Sequence, residues 1–258
     1  MKALSADIFY DTSYKNKTDR TFYSKCMQRY PHDDVLEIGS GTGRILFDIA
    51  KAGIKIDGIE PNYSRFCIAK EKLEKSPDNI KNNVGLYNCD LEHFEALHKY
   101  SMIIMPFRVL QEFASAEEQE QALKKLKTFL KPGGLLIFDV INPNVKMLSL
   151  KPSAHKIMKT KQYQKGGRTF VKESVLKKID VKNQIMSCEQ VYYFTEGAST
   201  KKLFKYKYKS RYLFYAELVN LVRFLNYQIV NVFGSFTFKE FDKLSKPKNI
   251  IMVLKNKE

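Results

Sequence analysis

Val35-Leu36-Glu37-Ile38-Gly39-Ser40-Gly41-Thr42-Gly43-Arg44 is the stretch on which the architecture turns. Residues 35–38 form an apolar run broken by one acid, the length of a buried strand. Glycines at 39, 41 and 43 let the chain turn tightly and let a ligand reach the backbone with no Cβ in the way. A helix is predicted from Gly43 to residue 52, closed by Gly53. The spacing is GxGxG, distinct from the GxGxxG of dinucleotide-binding turns, and Glu37 stands two residues before the first glycine.

Outward from this turn the chain alternates short apolar runs with amphipathic helices, the pattern of βα units and a parallel sheet. Strands are predicted over 54–59, 84–89, 101–105 and 135–140, and helices over 64–75 and 117–130. Ser76 and Pro77 end the first of these helices. Ser115, three residues before Glu118, opens the second as a capping box. Pro132, Gly133 and Gly134 turn the chain into the strand over 135–140.

Beyond residue 144 the texture changes. Three alternating strands are predicted over 168–179, 183–194 and 201–213, with Lys182-Asn183 and Glu196-Gly197 as turn signals. A helix over 215–225 and strands over 228–233 and 250–254 then complete the first sheet. The stretch 143–167, rich in Lys, Pro and Ser, reads as a mobile linker. The expected organisation is an α/β core over 1–144, an antiparallel β cap over 145–214, and core-completing elements over 215–258.

Charge divides along the same line. Residues 1–144 hold 20 Lys and Arg against 20 Asp and Glu, and residues 145–258 hold 24 against 8, so the whole excess of +16 lies in the second part. Such asymmetry marks either a surface facing an anion or a solvated face of a Lys-rich chain. In Lys205-Tyr206-Lys207-Tyr208-Lys209-Ser210-Arg211-Tyr212 the strand period of two places the cations on one, wet face and the tyrosines on the other. Cys26, Cys67, Cys89 and Cys188 form no CxxC pair and no Cys/His cluster, so reduced thiols and no metal site are expected. No apolar stretch approaches the roughly 18 residues of a membrane span, and no basic start precedes an apolar leader, which points to a soluble, cytoplasmic protein with no membrane contact.

The glycine turn with Glu37 before it resembles the S-adenosylmethionine-binding motif of class I methyltransferases. Three further features fall where that family has them. Glu60 ends the second strand about 20 residues beyond the turn, where a carboxylate accepts hydrogen bonds from both ribose hydroxyls. Asp90, in Asn88-Cys89-Asp90-Leu91, resembles the acid that meets the adenine amine. Lys131-Pro132-Gly133-Gly134-Leu135 looks like the KPGG turn of the family. The resemblance covers residues 1–144 well and the last 45 or so loosely. It implies a doubly wound, mostly parallel seven-stranded sheet, with the antiparallel cap inserted after the fifth strand.

On that resemblance, S-adenosylmethionine, with S-adenosylhomocysteine as product, would be held by Glu37, Gly39, Ser40, Gly41, Thr42, Gly43, Arg44, Glu60, Pro61, Cys89, Asp90, Leu91 and Pro106. The N-terminal stretch from Phe9 to Tyr23 looks like the lid helices of small-molecule methyltransferases, including those acting on amino sugars. Tyr14, or Tyr10, would close over the cofactor or else pack helix to sheet. Met105-Pro106-Phe107-Arg108-Val109-Leu110-Gln111 resembles the P-F-R-x-x-Q segment of the family beside the methyl group. Arg108 there either grips an anionic group or forms a structural ion pair. Gln111 either orients the acceptor or caps a helix, and Asp139 and Asn142, ending the fifth strand, complete the candidate acceptor side.

Several acceptor classes are weakened by what the chain lacks. No Asn/Asp-Pro-Pro-Tyr/Phe follows the fourth strand, no Pro-Cys or Thr-Cys is placed to attack a pyrimidine, and Glu112 alone does not make the paired-glutamate hairpin of arginine methyltransferases. The leading expectation is methylation, on oxygen or nitrogen, of a small anionic metabolite, phosphorylated or nucleotide-linked and including sugars, by a monomer or homodimer. An RNA methyltransferase using the basic cap is the second reading. A non-catalytic S-adenosylmethionine-binding protein is the third.

Overall fold

In the computed structural model, residues 18–143, 148–149, 157–165, 168–196, 199–244 and 247–257 are described. The chain divides into two compact units, one of residues 17–143 and 213–258, the other of residues 1–16 and 144–212.

The first unit is a seven-stranded sheet wrapped by helices. Strand β1 (Asp34–Ile38) leads through the glycine turn to helix α2 (Leu46–Lys51), which follows the N-terminal helix α1 (Thr18–Arg29). Then come β2 (Lys55–Ile59), α3 (Tyr63–Glu74), the short α4 (Asp78–Lys81), β3 (Val84–Tyr87) and β4 (Tyr100–Met105). A 3-10 turn (Val109–Glu112) precedes α5 (Ala116–Phe129) and β5 (Leu130–Ile141). After the insertion, α6 (Tyr215–Phe224), β10 (Tyr227–Phe233) and β11 (Asn249–Asn256) close the unit. The strand order is β10-β11-β5-β4-β1-β2-β3, parallel from β5 to β3, with β11 antiparallel to both neighbours.

Chain order reverses between β1 and β4, and a crevice for ligands forms at the carboxyl ends of strands at such a switch. The central strands read as continuous apolar runs because helices cover both faces. Leu36, Ile103, Leu136 and Met252 face one buried cluster, and Val35, Met102, Ile137 and Val253 face the other. Parallel strands buried on both faces account for the weak apolar/polar alternation in these segments.

The expected doubly wound sheet is present, with local differences. Helix α2 begins at Leu46, because Gly43 has φ +80 and cannot belong to a right-handed helix. Strand β5 begins at Leu130, five residues early. Leu130 and Leu135 both pair with β4, and the residues between bulge out with Gly133 at φ +75. Helix α5 is capped as the sequence indicated, Ser115 Oγ accepting from Glu118 N at 3.0 Å, but the Glu118 carboxylate reaches back to Ala114 N.

The second unit is an antiparallel meander of four strands where three were expected: β6 (Ile157–Lys165), β7 (Arg168–Asp180), β8 (Ile185–Glu196) and β9 (Ser199–Arg211). Strand β6 falls inside the stretch read as a mobile linker; the rest of that stretch up to residue 156 lies almost wholly outside the described residues. The β7–β8 turn follows the Lys182-Asn183 signal, with both Asp180 carboxylate oxygens accepting from Asn183. Lys205, Lys207 and Lys209 are exposed on the edge strand β9, as expected. Arg211 departs from the wet face: it is 6% exposed, and its guanidinium donates to Gln184 Oε1 at 2.5 Å. No described helix is long and apolar enough to cross a membrane.

Candidate active site

The glycine turn leaves β1 at the switch point. Gly41 (φ +59) faces open space, and a Cβ built there meets nothing nearer than Gly39 O at 3.9 Å. At Gly43 a Cβ would overlap the Phe47 ring, so this glycine serves helix packing. Ser40 N donates to Ile59 O at 2.9 Å, and Gly41 N donates to Glu60 Oε2 at 2.8 Å, which ties the turn to the end of β2. The other Glu60 oxygen accepts from Asn62 N at 2.8 Å, and the side chain is buried. Lys72 Nζ donates to Thr42 O at 2.8 Å and fixes the far side of the turn.

Two buried polar atoms at this turn, Glu37 Oε2 and Ser40 Oγ, have no hydrogen-bond partner. Leaving such atoms unpaired costs about 1 to 3 kcal/mol each, so an unpaired couple beside an open glycine backbone fits a polar ligand. Burial pushes the Glu37 carboxyl well above the usual carboxylate range, opposed by the Arg44 guanidinium and the Leu46 amide. The set of groups, an acid before the turn, a sterically open Gly41 and a second acid at the next strand end, suits the amine and hydroxyls of an amino-acid nucleoside.

Further along the same sheet edge, Asp90 is partly exposed, and its Oδ1 accepts from His93 N at 2.9 Å. That bond and the His93 ring lower its pKa. Leu91 is buried, Cys89 half-buried and Pro61 exposed.

The acceptor-side candidates take distinct places. After the buried Pro106, Phe107 and Arg108 have φ of +61 and +67, two consecutive left-handed residues that are not glycine. That conformation costs roughly 1 to 2 kcal/mol per residue and persists only where neighbours enforce it. Phe107 N donates to Asp139 Oδ1 at 2.8 Å, and Tyr23 OH donates to the same oxygen at 2.8 Å. Asp139 is 1% exposed, and burial lifts its pKa to about 6 against the opposing pull of Tyr23, Arg108 and the Phe107 amide. Arg108 is exposed. Gln111 is buried with Oε1 accepting from Ile141 N at 2.8 Å. Asn142 Nδ2 donates to Pro247 O at 2.8 Å, stitching the end of β5 to the loop before β11.

Helix α1 supplies two residues that the sequence did not single out. Asp19 pairs with Arg44, and one turn later Tyr23 reaches Asp139. The Arg44 guanidinium also lies over the Phe107 ring, 5.6 Å from its centroid. Glycine turn, β4 loop, β5 end and α1 therefore form one connected set. The only signal in sequence was the i, i+4 spacing of Asp19 and Tyr23, which puts both on one helix face. Tyr10 and Tyr14 lie outside the described residues. Among those described, no group of three or more His, Cys, Asp or Glu is arranged to hold a metal.

Comparison with known proteins agrees with this geometry. The family model of a methyltransferase domain matches residues 36–136. An uncharacterized methyltransferase of Oceanobacillus iheyensis is 29% identical over 139 residues, 50% of this chain and 60% of that protein. The chain spans about half the length of the curated relatives it matches, from 43% to 60%. A solved S-adenosylmethionine-dependent methyltransferase of Clostridium acetobutylicum superposes with a TM-score of 0.73 at 16% identity, covering 97% of this chain and 96% of that one. The sugar N-methyltransferase KedS8 of a Streptoalloteichus species gives 0.73 at 16% identity, covering 100% and 95%. At such identities the likeness is one of fold. Residues 36–136 match the methyltransferase-domain family, and the chain that carries them has the class I methyltransferase fold.

Proposed function

We propose that the protein transfers a methyl group from S-adenosylmethionine to oxygen or nitrogen of a small anionic acceptor, phosphorylated or nucleotide-linked, with sugars first among the candidates. The observation that carries the cofactor assignment is the pair of unpartnered buried atoms, Glu37 Oε2 and Ser40 Oγ, beside the open Gly41 backbone. In this reading Glu37, Gly39, Ser40, Gly41, Thr42, Gly43 and Arg44 hold the amino-acid end, and Glu60 with Pro61 holds the ribose. Cys89, Asp90 and Leu91 flank the adenine, with Pro106 beside the sulfonium. The cofactor supplies an electrophilic methyl on a positively charged sulfur, so the protein's work is alignment and exclusion of water. Arg108, exposed on its strained turn, grips the acceptor's anionic group, and Gln111, Asp139 and Asn142 shape the loop around it.

Two observations support the acceptor class. A sugar N-methyltransferase shares the fold, and the second unit presents Lys202, Lys205, Lys207 and Lys209 exposed along one strand. A positively charged surface concentrates anions near the chain and speeds their encounter with it. Lysines on an edge strand also block pairing with another chain, so both uses are compatible. The RNA reading draws on Tyr206, 45% exposed and stacked on Tyr208 at 6.1 Å, which offers a base-stacking platform on the strand face opposite the lysines.

The deciding experiment titrates the protein with S-adenosylmethionine and S-adenosylhomocysteine, with NADH as control, then screens labelled-methyl transfer onto nucleotide-linked sugars, phosphorylated metabolites and RNA. Saturable binding of the first two alone, with turnover on a small anion and a shallow salt slope, is the expected result. A steep salt slope with RNA labelled moves the assignment to RNA. Binding without transfer to any acceptor leaves a binding protein.

A further inference from the structure

We infer that Asp139 is a positioning residue: its carboxylate holds the left-handed Phe107–Arg108 turn in place, thereby setting where the Arg108 guanidinium stands, and locks helix α1 to the same point through Tyr23. The inference deepens the proposed function, since it rests on Arg108 as the anion-gripping residue.

The geometry separates this role from acceptor contact. Asp139 is 1% exposed, and its Oδ1 already accepts from Phe107 N and Tyr23 OH, both at 2.8 Å. A side chain so enclosed has little surface to offer a substrate. What it touches is the backbone of the one described segment where two consecutive residues other than glycine have positive φ. Just beyond, Gln111 Oε1 accepts from Ile141 N at 2.8 Å, so the β4 loop is tied to the end of β5 on both sides of Arg108. A buried carboxylate and a strained backbone are each unfavourable alone. They meet in a single hydrogen bond at the sheet edge where ligands bind in this fold, and two such departures from local stability are expected together only where a loop must keep one shape.

The hold depends on charge. A carboxylate accepts two hydrogen bonds on one oxygen readily, whereas a protonated carboxyl accepts more weakly and must place a proton of its own. The charged and titratable groups facing Asp139 are Tyr23 and Asp19 on α1 and Arg108 on the turn itself, together with the Phe107 amide. Arg108, Tyr23 and the amide favour the ionised form, and Asp19 and burial oppose it. The turn is therefore firmest above a pH of about 6 and loosens below it. A small anion would then be gripped less well in acid, through Arg108's placement, with no proton on the acceptor involved.

The test follows the Phe107 amide by nitrogen-proton NMR from pH 5 to pH 8, with its hydrogen exchange, in wild type, Asp139→Asn and Tyr23→Phe. In wild type the amide should titrate with a midpoint near 6, and Asp139→Asn should abolish that titration and speed exchange about tenfold at pH 8, through loss of a charge-assisted bond. Tyr23→Phe, which retains the carboxylate, should move the midpoint upward and serves if Asp139→Asn folds poorly. A Phe107 amide that does not titrate in this range, or titrates identically in Asp139→Asn, overturns the inference. Pyrophosphate affinity, measured calorimetrically with S-adenosylhomocysteine present, gives the second arm. Weakening by both Arg108→Ala and Asp139→Asn supports the positioning role. Weakening by Arg108→Ala with Asp139→Asn indistinguishable from wild type overturns it. A titrating amide together with pyrophosphate affinity untouched by Arg108→Ala supports Asp139's hold on the turn and overturns the anionic-acceptor reading instead.

Discussion

Arg44 Nη2 lies 2.5 Å from Asp19 Oδ2, and the two side chains are only 10% and 11% exposed. An ion pair this enclosed differs from a surface pair, because removing one partner leaves the other charged and desolvated. Asp19→Ala should therefore lower stability by about 3 kcal/mol in urea unfolding, well beyond the value of at most about 1 kcal/mol for an exposed pair. Replacing both, as Asp19→Leu with Arg44→Met, should recover most of the loss. A double variant as unstable as Asp19→Ala would show that the pair is not what anchors α1 to the glycine turn.

Asp139 gives a pH prediction with a definite sign. Its pKa in the folded protein, about 6, is above the ordinary carboxylate value, so between those two the folded state binds more protons than the unfolded. Stability from this group is thus greatest in acid and falls as pH rises toward 6. Asp139→Asn does not titrate, so its stability relative to wild type should improve by about 1 kcal/mol between pH 5 and pH 8. Denaturant midpoints at the two pH values measure this, and an opposite trend would mean the carboxylate is stabilised, not strained, by its surroundings.

Gly43 and Gly53 both have positive φ, +80 and +82, but differ in what a methyl group would meet. At Gly53 nothing lies within 4 Å, whereas at Gly43 the Phe47 ring is in the way. Gly53→Ala should cost about 1 kcal/mol from backbone conformation alone, and Gly43→Ala about 1 to 3 kcal/mol more from overpacking. Thermal unfolding of the two variants side by side would show the gap, and equal losses would place the Phe47 ring elsewhere in solution.

Glu60→Ala removes the acceptor of the Gly41 and Asn62 amides as well as the proposed ribose contact. Hydrogen bonds to a charged group are worth roughly 1.5 to 3 kcal/mol each, so S-adenosylhomocysteine affinity should fall at least about tenfold by calorimetry. Gly41→Ala, which has room in the protein itself, should weaken binding with a smaller loss of stability. Wild-type affinity in Glu60→Ala would remove the ribose assignment.

The strands and helices of the first unit were legible because their signals are local: apolar runs, caps and glycines act over a few residues. So was the tight turn after β1, since the GxGxG spacing supplies glycines at 39, 41 and 43, each with positive φ. Strand β6 was not legible, because residues 157–165 carry lysines and glutamines with no apolar face, and pairing with β7 alone makes them a strand. Arg211 read as solvated by its period and is buried by the fold of the Gln184 turn. The partners of Asp139 were equally hidden. Tyr23 is 116 residues away and the Phe107 amide 32, and no spacing rule connects them. Sequence alone thus determined the scaffold and the position of the glycine turn, both written in short-range preference. Tertiary structure alone decided which buried charges meet, because hydrogen bonds and ion pairs depend on distances that only the folded chain sets.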